Sequence, residues 1–555
     1  MKRKTQRTVS IFVTLLIALL LPVQAFAGEY SIANGNITVT VNGSGEQRVT
    51  QLDQGINDDL QVGGKTTITG TSSSHKVTIN VADGQTANVT LKDLSINRSG
   101  TSNVAALLTG GDGDVNIELD GDNTLQSGQK RAGLEKGNAG TLTIGDDSGA
   151  SGSLEATGGL SAAGIGGGSH GDGSNITITG GTVTANGRNY AAGIGGGNHG
   201  DGSNITIAGG TVSATGGGFG AGIGGGNSGN GSNIMISGGT VTANGGNGGA
   251  AIGGGDGGNG SNIEISGGTV SANGGASAAG IGGGSHGDGS GIMISGGTVS
   301  ANGGASAAGI GGGYQGAGSN IEISGGTVTA SGGYCGAGIG GGKDGDGSGV
   351  TVSGDAQVRV QGGESYGSDG TGAGIGNGGS KDSSNNPIDG AEVEPDVSNL
   401  TAPGWIEYYA PGTEDMDTAD PIRIINEEVE PEEPEPEDNP ELEPEPEPEP
   451  KPYNAPADSA YKIGDKVTVN GREWIIVGID GDFVELASVD AFTEEQLKDL
   501  EALIKTLLTE AQLGKLAADK ATGERVFPAD ENIANEYFGG EKGHITIKAD
   551  ISILG

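Results

Sequence analysis

Four aspartates recur at one position of a repeated sequence, and their carboxylates are the first side chains that could do chemistry. Asn230 and Asn259 occupy two copies of this position that lack an aspartate. Carboxylate oxygens stacked on successive turns suit Ca²⁺, which prefers hard oxygen ligands. We therefore predict calcium as a cofactor and these residues as its site, with hydrogen bonding inside the turns as the alternative role. The four aspartates are Asp172, Asp201, Asp288 and Asp346.

Aromatic side chains are scarce in this chain, and four of them lie in turns of the repeats. Tyr190 and Phe219 hold the same position in neighbouring repeats, and Tyr314 and Tyr334 lie at nearby turns. An exposed aromatic ring can stack on the apolar face of a sugar ring. We predict these four residues as a carbohydrate-binding set, with packing of the rings over the turns as the alternative.

Two further columns of polar residues follow the same repeat. His170, His199 and His286 supply too few ligands for a metal site, so we interpret them as exposed turn residues. Hydroxyl residues flank Val183 and its copies, in T-x-T or T-x-S pairs that begin at Thr182. If the valines point inward, these hydroxyls form a flat outward lattice similar to that of ice-binding solenoids, although threonine is also a common strand residue.

The repeat itself is strictly regular. The motif A-G-I-G-G-G, written once as A-A-I-G-G-G, returns every 29 residues without insertion or deletion. Loops tolerate changes in length, so this strict period indicates that each unit stacks on the next in register. The isoleucines of the motif are Ile165, Ile194, Ile223, Ile252, Ile281, Ile310 and Ile339.

Each unit contains three apolar patches in which apolar residues alternate with a period of two, as in strands. In one unit these residues are Ala192 and Ile194, Ile205 and Ile207, and Val212 and Ala214. We predict an all-β fold: a right-handed parallel β-helix over residues 28–400, with three strands per coil and about 4.8 Å between coils. Alternating segments at 77–81 and 115–119, and Leu134 in A-G-L-E-K-G, predict atypical coils at the N-terminal end.

Composition limits the function. The chain has 555 residues and a net charge of −41, so we expect no nucleic-acid partner and no direct binding to anionic membranes. Cys335 is the single cysteine, so no intrachain disulfide can form, and we expect it to pack as a small residue. The sequence has no nucleophile elbow, no H-E-x-x-H motif and no phosphate-binding loop with its lysine. We therefore predict that the protein is not an enzyme.

The two ends of the chain differ from the repeats. Residues 1–27 have the charged, apolar and cleavage regions of a secretory signal peptide, which predicts a secreted or cell-surface protein without membrane insertion after cleavage. Residues 401–425 form the end of the solenoid, and residues 426–452 form an acidic, proline-rich linker that we expect to be a stiff spacer. Residues 453–555 form a small α+β module, through which we expect contact with a cell-wall partner.

The predicted module combines a hairpin region and a helix. Asn470-Gly471 and Asp480-Gly481 are turn dipeptides that separate three short strands. A helix is predicted from Thr493, which fits a capping box with Gln496. No function follows from these features.

The body from residue 37 to residue 376 resembles the bacterial cell-surface carbohydrate-binding domains built on the pectate-lyase-like parallel β-helix. The matching text is V-T-L-K-D-L-S-I-N from Val89, A-A-L-L from Ala105, V-N-I-E-L-D-G-D-N-T-L from Val115, G-S-L-E-A-T-G-G from Gly152, and then the G-I-G-G-G units. The resemblance implies non-catalytic binding of an acidic, plant-type polysaccharide, assisted by calcium.

Other function classes remain open from the sequence. A structural stalk or adhesin of the cell surface needs the same regular solenoid and no ligand site. The shared fold also hosts polysaccharide lyases, which use a basic residue beside calcium-binding carboxylates, but arginine and lysine are nearly missing from the repeats. Ice binding is the further alternative that the threonine columns raise.

Overall fold

A computed structural model describes the chain at residues 28–51, 54, 56–60, 64–146, 152–413, 416, 418–425, 466–469, 472–480, 483–488 and 546–550. The predicted signal peptide (1–27), the linker (426–452) and the helix from Thr493 lie outside the described residues. The chain divides into two compact units, Met1–Glu433 and Pro434–Gly555. No helix among the described residues is both long enough and apolar enough to span a membrane.

Each regular coil of the first unit consists of three strands joined by glycine-rich turns. In one coil the strands are Ile194–Gly195, Gly202–Ile207 and Thr211–Thr215. Each strand pairs in parallel with its copy in the next coil, for example Ile205 with Ile234. The all-β parallel β-helix predicted from the period is therefore confirmed, with three strands in each coil.

The first strands of successive coils form the first face of the solenoid. They have two residues in the regular coils and are longer in the N-terminal coils. In chain order they are Ile37–Val41, Val77–Val81, Leu107–Gly111, Leu134–Lys136, Ile165–Gly166, Ile194–Gly195, Ile223–Gly224, Ile252–Gly253, Ile281–Gly282, Ile310–Gly311, Ile339–Gly340 and Ile375–Gly376.

The second face carries the longest strands of the regular coils. After Asp114–Asp120 its strands are Leu142–Gly145, Gly173–Ile178, Gly202–Ile207, Gly231–Ile236, Gly260–Ile265, Gly289–Ile294, Gly318–Ile323 and Gly347–Val352. The third face follows after a short turn in the regular coils. Its strands are Asp122–Gln126, Ser153–Thr157, Thr182–Asn186, Thr211–Thr215, Thr240–Asn244, Thr269–Asn273, Thr298–Asn302, Thr327–Ser331, Gln357–Gln361 and Trp405–Tyr409.

Two long strands near the N-terminal end run along both the second and the third face. Thr86–Asn97 pairs first with Asp114–Asp120 and then, through its last residues, with Asp122–Gln126. Lys65–Ser72 lies beside it. Asp93 has a φ of 47° within the long strand, at the point where pairing passes from one face to the other.

Shorter elements cover the N-terminal end. Gly28–Ser31 pairs in parallel with the start of Lys65–Ser72 and leads into a 3₁₀ turn at Ile32–Asn34. Gln47–Gln51 and Ile56–Leu60 add antiparallel strands to the edge of the first face. Terminal coils that differ from the repeats are expected where a solenoid must close its core.

The C-terminal end of the solenoid is closed by aromatic residues. Trp405–Tyr409 pairs with the third face, and Arg423–Ile425 adds an antiparallel strand to it. Tyr408 and Tyr409 are buried, and the Arg359 guanidinium lies 5.7 Å from the centre of the Trp405 ring. A short antiparallel pair, Ser380–Lys381 with Pro387–Ile388, precedes this cap.

The core is a narrow column of small and β-branched side chains. Ile194, Ile205, Ile207, Val212 and Ala214 expose at most 1% of their surface. The same positions are buried in the neighbouring coils because the strands pair without a shift in register. The inward positions predicted from the period-two alternation are thus confirmed, and burial of this apolar column drives the folding of the solenoid.

The first face also requires glycine, because its backbone lies directly against the backbone of the next coil. Gly195 has a φ of 128°, and its copies Gly166 and Gly224 have values of 130° and 132°. A Cβ atom at Gly195 would lie 2.1 Å from the carbonyl oxygen of Gly224. No rotation of a side chain relieves a clash with backbone, so in the regular coils this column admits only glycine.

The second unit contains an antiparallel sheet of four described strands, Lys466–Val469, Arg472–Asp480, Phe483–Ser488 and Thr546–Asp550. The first three are the predicted strands, and Trp474, Ile476 and Leu486 are buried. The fourth strand was not predicted. Asp480, predicted as a turn residue, is the last residue of its strand and pairs with Phe483.

Gly195→Ala should destabilise the solenoid by more than about 3 kcal/mol, because it adds backbone strain to a clash that cannot relax. The measurement is urea-induced unfolding followed by circular dichroism. Gly100→Ala is the matched control, since a Cβ atom there meets nothing within 4 Å. Equal unfolding midpoints for the two variants would contradict the packing described for the first face.

Candidate functional site

Two sets of turns lie on either side of the short first-face strand. We name the turn before this strand the A turn (residues 187–193 in one coil) and the turn after it the B turn (residues 196–201). The N–H of Asn227, in a B turn, donates to the carbonyl of Tyr190, in the A turn of the preceding coil, at 2.7 Å. The pair Asp256 and Phe219 repeats this contact at 2.9 Å. The A and B turns therefore form one continuous surface, which we name the glycine edge.

The four aromatic residues predicted as a binding set all lie on the glycine edge. The rings of Tyr190 and Phe219 stack with their centres 5.3 Å apart and their planes 10° from parallel. Each ring remains 40% exposed, so packing over the turns covers only part of its surface. The stack joins A turns of adjacent coils, as the shared repeat position predicts.

The other two rings lie nearer the C-terminal cap and make separate contacts. Tyr334 contacts Tyr366, with ring centres 5.2 Å apart, and both rings are exposed. Tyr314 lies in a B turn, where it meets His286 edge to face at 5.2 Å and has the Lys343 ammonium 5.9 Å from its centre. The predicted set therefore lies at three places on one edge.

The histidines lie in B turns, exposed, at a position with positive φ. His170 and His199 are neighbours, with ring centres 5.5 Å apart, whereas His286 is three coils further along. Nδ1 of His170 lies 3.0 Å from the hydroxyl of Ser169, and Nδ1 of His286 lies 2.9 Å from that of Ser285. These contacts orient the rings along the glycine edge.

The aspartate column forms hydrogen bonds between coils. The carboxylate of Asp172 accepts the backbone N–H of Asp201 at 2.9 Å, and that of Asp201 accepts the N–H of Asn230 at 2.7 Å. Asn230 and Asn259 continue the series through their side-chain oxygens, and Asp288 accepts the N–H of Ala317 at 2.8 Å. One carboxylate oxygen of each bonded aspartate thus caps the turn of the next coil.

The spacing of this column brings only two of the four predicted carboxylates together. Asp172 and Asp201 are one coil apart, Asp288 is three coils beyond Asp201, and Asp346 lies exposed two coils further on. Among the described residues no three His, Cys, Asp or Glu side chains are grouped as a metal site needs. Calcium binding here would use Asp172 and Asp201 together with oxygens from a ligand or from water.

Asparagine ladders are a feature that the sequence analysis missed. Asn204 donates to the side-chain oxygen of Asn175 at 3.0 Å, and Asn233 and Asn262 continue the ladder along the second face. Each of these residues has positive φ, which asparagine tolerates better than most residues. The signal was available, because asparagine recurs with the repeat period before the I-x-I of the second-face strand.

The threonine and serine columns lie on the outside of the third face. Val183 is fully buried, while Thr182 on one side of it is exposed and Thr184 on the other is half-buried. Pairing keeps Thr182 beside Thr211 and Thr184 beside Ser213. The predicted hydroxyl lattice is therefore present, on a different face from the aromatic groups.

A groove of about 620 Å³ lies where the atypical coils meet the first regular coil. Its lining includes Lys130, Arg131, Glu135, His170 and Asp172, so it brings basic residues beside carboxylates. The sequence signal was A-G-L-E-K-G, in which Glu135 and Lys136 stand where Gly166 and Gly167 stand in the next coil. From the sequence this motif predicted only an atypical coil, and the groove was not predicted.

Two of the basic groups of this groove already have partners within the fold. Arg131 donates to Glu135, and burial raises the pKa of the Glu135 carboxyl despite this guanidinium. The Lys136 ammonium donates to the carbonyls of Asn138 and Gly140. Burial lowers the pKa of Lys136 to about 8, against the attraction of Asp114.

Comparison with known proteins gives one family. Six segments match the beta helix repeat family: residues 176–198, 205–227, 234–256, 263–285, 292–314 and 321–343. The segments follow the repeat period, and each spans an A turn together with parts of the second, third and first faces of the regular coils. No curated protein and no solved structure matches the chain. The match agrees with the parallel β-helix fold and identifies no ligand.

The aspartate column offers a test that separates turn capping from calcium binding. A variant with Asp172, Asp201, Asp288 and Asp346 changed to Asn keeps the side-chain oxygens that accept N–H groups but loses four charges. The variant with all four changed to Ala loses both. We expect the Ala variant alone to lose stability, by about 0.5–1.5 kcal/mol per hydrogen bond removed, as measured by urea unfolding.

Calorimetry with calcium chloride gives the second readout on the same two variants. If these carboxylates bind calcium, the wild type gives a saturable binding heat and both variants do not, because charge is lost in both. Equal calcium heats in the wild type and the Asn variant would eliminate these residues as the site.

Lys136 predicts a pH-dependent stability. Its pKa in the folded chain is about 8 and its ordinary value is 10.5, so between these values the unfolded chain binds more protons than the folded chain. The free energy of unfolding therefore rises with pH across this window. Urea unfolding from about pH 7 to about pH 11 should show this rise in the wild type and lose it in Lys136→Met. Lys76→Met, at an exposed lysine, is the control and should keep the wild-type profile.

Proposed function

We propose that this protein is a non-catalytic, extracellular polysaccharide-binding protein whose ligand lies along the glycine edge. The observation that carries the proposal is the alignment of two pairs of exposed aromatic rings on this one edge. Tyr190 and Phe219 form one pair, and Tyr334 and Tyr366 form the other. The half-buried Tyr314 contacts His286 between them.

The geometry of the edge suits a long ligand. Gly248 and Ser277 occupy the A-turn position of Phe219 in the next two coils, so these A turns carry no ring. Adjacent coils are about 4.8 Å apart, and a polymer lying along the axis would contact several coils in succession. Rings at separated points would then hold different sugar units of the same chain.

The charge of the edge bears on the choice of glycan. Arg188 and Lys343 lie on the glycine edge, but the chain between them has no lysine or arginine, while Asp201, Asp256 and Asp288 lie in the B turns of that stretch. An acidic glycan would be repelled unless a cation lay between the two sets of carboxylates. We propose that calcium fills this role beside Asp172 and Asp201, as the resemblance to calcium-assisted binding domains implies.

We propose no catalytic activity for this protein. A lyase would need a free basic group held beside the substrate, and in the groove near the N-terminal coils Arg131 and Lys136 are already bonded to a carboxylate and to backbone carbonyls. Lys130, the third basic residue of that groove, is exposed to solvent. Incubation with acidic polysaccharides followed by absorbance of unsaturated products is the direct assay. Accumulation of such a product would replace this proposal with a lyase.

A structural stalk or adhesin is the second candidate function. The unbroken register of the coils favours it, because a continuous apolar core and backbone packing make a rigid rod. In either case we propose export of the protein and retention at the surface through residues 453–555. Deletion of these residues should release the protein from cells into the medium.

The aromatic prediction is tested on a glycan array with and without calcium. Tyr190→Ala/Phe219→Ala should weaken binding of the recognised polysaccharide by about tenfold or more, since both stacking surfaces are removed. Met235→Ala/Met293→Ala is the matched control, because these side chains have similar exposure, 40% and 43%, but lie on the second face.

The array also separates the two candidate functions. If the wild type binds no glycan on the array, the result supports a structural stalk or adhesin and the binding proposal is wrong. If the protein still binds a glycan in the presence of a chelator, the binding proposal holds and the proposed role of calcium is wrong.

A further inference from the structure

The regular period breaks at one place on the glycine edge. In the coil that contains Ile339 the A turn runs from residue 332 to residue 338, as in the other regular coils. In the last coil the A turn runs from residue 362 to residue 374 and is nearly twice as long. Insertions in solenoids occur in loops of one face, which is often the binding face.

The longer A turn builds a groove of about 330 Å³ against the C-terminal cap. Its lining includes Ala305, Tyr334, Gln361, Glu364 and Gly412. The volume is within the range of small-ligand sites in proteins, roughly 300–1,000 Å³. The groove therefore has room for about one sugar unit.

The walls of this groove differ in chemistry. Tyr334 supplies an exposed ring, and Tyr366 contacts that ring without lining the groove, which fixes its orientation. The floor is backbone at residues 332–333 and 362–363, where every residue is glycine. A flat ligand can thus approach the main chain closely while its apolar face meets the tyrosine.

The polar side of the groove is held by the cap. The buried Gln361 amide donates to the carbonyls of Ala410 and Thr413, at 3.3 and 3.0 Å, and this anchors the loop that carries Gly412. The carboxylate of Glu364 lies beside Gly412, in the space that a side chain at that position would take. Within the described part of the chain, Glu364 is the only charged residue of the lining.

We propose that this groove is a subsite for an uncharged pyranose unit, stacked on Tyr334 and donating its hydroxyls to Glu364. The inference rests on the proposed polysaccharide binding and adds the class of sugar at one position. A uronate would place its carboxylate near Glu364 with no cationic side chain among the described lining residues, and like charges repel. Binding at this subsite therefore needs no calcium, in contrast to the aspartate column.

Ala305 provides a sharp way to block the groove. Ala305 lies on its rim and is exposed, so Ala305→Trp should fill the space without disturbing the core. Ala276 holds the same position one coil earlier, is also exposed and does not line the groove. Ala276→Trp is therefore the matched control, and Tyr334→Ala is a second test variant that removes the stacking surface.

The experiment is calorimetry of the full chain in a chelator, with uncharged β-1,4-glucan, β-1,4-xylan and β-1,4-mannan fragments and an oligogalacturonate of equal length. We expect the wild type to bind an uncharged fragment and both test variants to bind it at least about tenfold more weakly. Ala276→Trp should bind it as the wild type does. Thermal unfolding by circular dichroism confirms that each variant is folded.

The outcomes distinguish this inference from the function on which it rests. If the wild type binds an uncharged fragment and both test variants bind it equally well, the subsite is wrong and the polysaccharide-binding proposal stands. If the test variants lose only oligogalacturonate, the class of sugar is wrong. If the wild type binds no glycan with or without calcium, both proposals are wrong.

Discussion

Contact of backbone with backbone between successive coils is the constraint on which the rest of this structure depends. At Gly195 and its copies the α-carbon lies so near the carbonyl of the next coil that a Cβ atom would come within 2.1 Å of its oxygen. The short first-face strand can pair only under this condition. The constraint helps to explain how the described part of the glycine-rich first unit forms one continuous apolar core. It also confines insertions to the turns: the longer A turn of the last coil leaves Gly340 paired with Gly376.

This constraint leaves few positions free to vary, and the candidate binding residues occupy them. In the regular coils inward positions are apolar and the position after the first-face isoleucine must be glycine, whereas the A and B turns carry side chains that point away from the stack. Tyr190, Phe219 and His199 lie in such turn positions. The asparagine and aspartate ladders use other outward positions to tie neighbouring coils together through hydrogen bonds. Stability and recognition are thus divided between separate columns of one repeat.

The two grooves occur where the repeat is interrupted. At the N-terminal boundary Glu135 and Lys136 replace glycines, and their charges are satisfied by Arg131 and by backbone carbonyls. At the C-terminal boundary a longer A turn and the cap enclose a space beside Tyr334. Regular coils cannot form such spaces, because each coil is covered by a nearly identical one. The irregular coils therefore form the two grooves, and the regular coils form the long continuous edge between them.

The sequence by itself determined the solenoid, its three strands per coil and the inward residues, because in-register stacking turns a linear period into spatial contact. It also placed Tyr190 beside Phe219 and Asp172 beside Asp201, since each pair is separated by one repeat period. Only the tertiary structure decided which turns share a surface. Tyr334 meets Tyr366, and Asn227 meets Tyr190, although neither pair is separated by a multiple of the period. Such contacts depend on the path of the backbone around the short first face and on the length of the last A turn, neither of which leaves a periodic signal in the sequence.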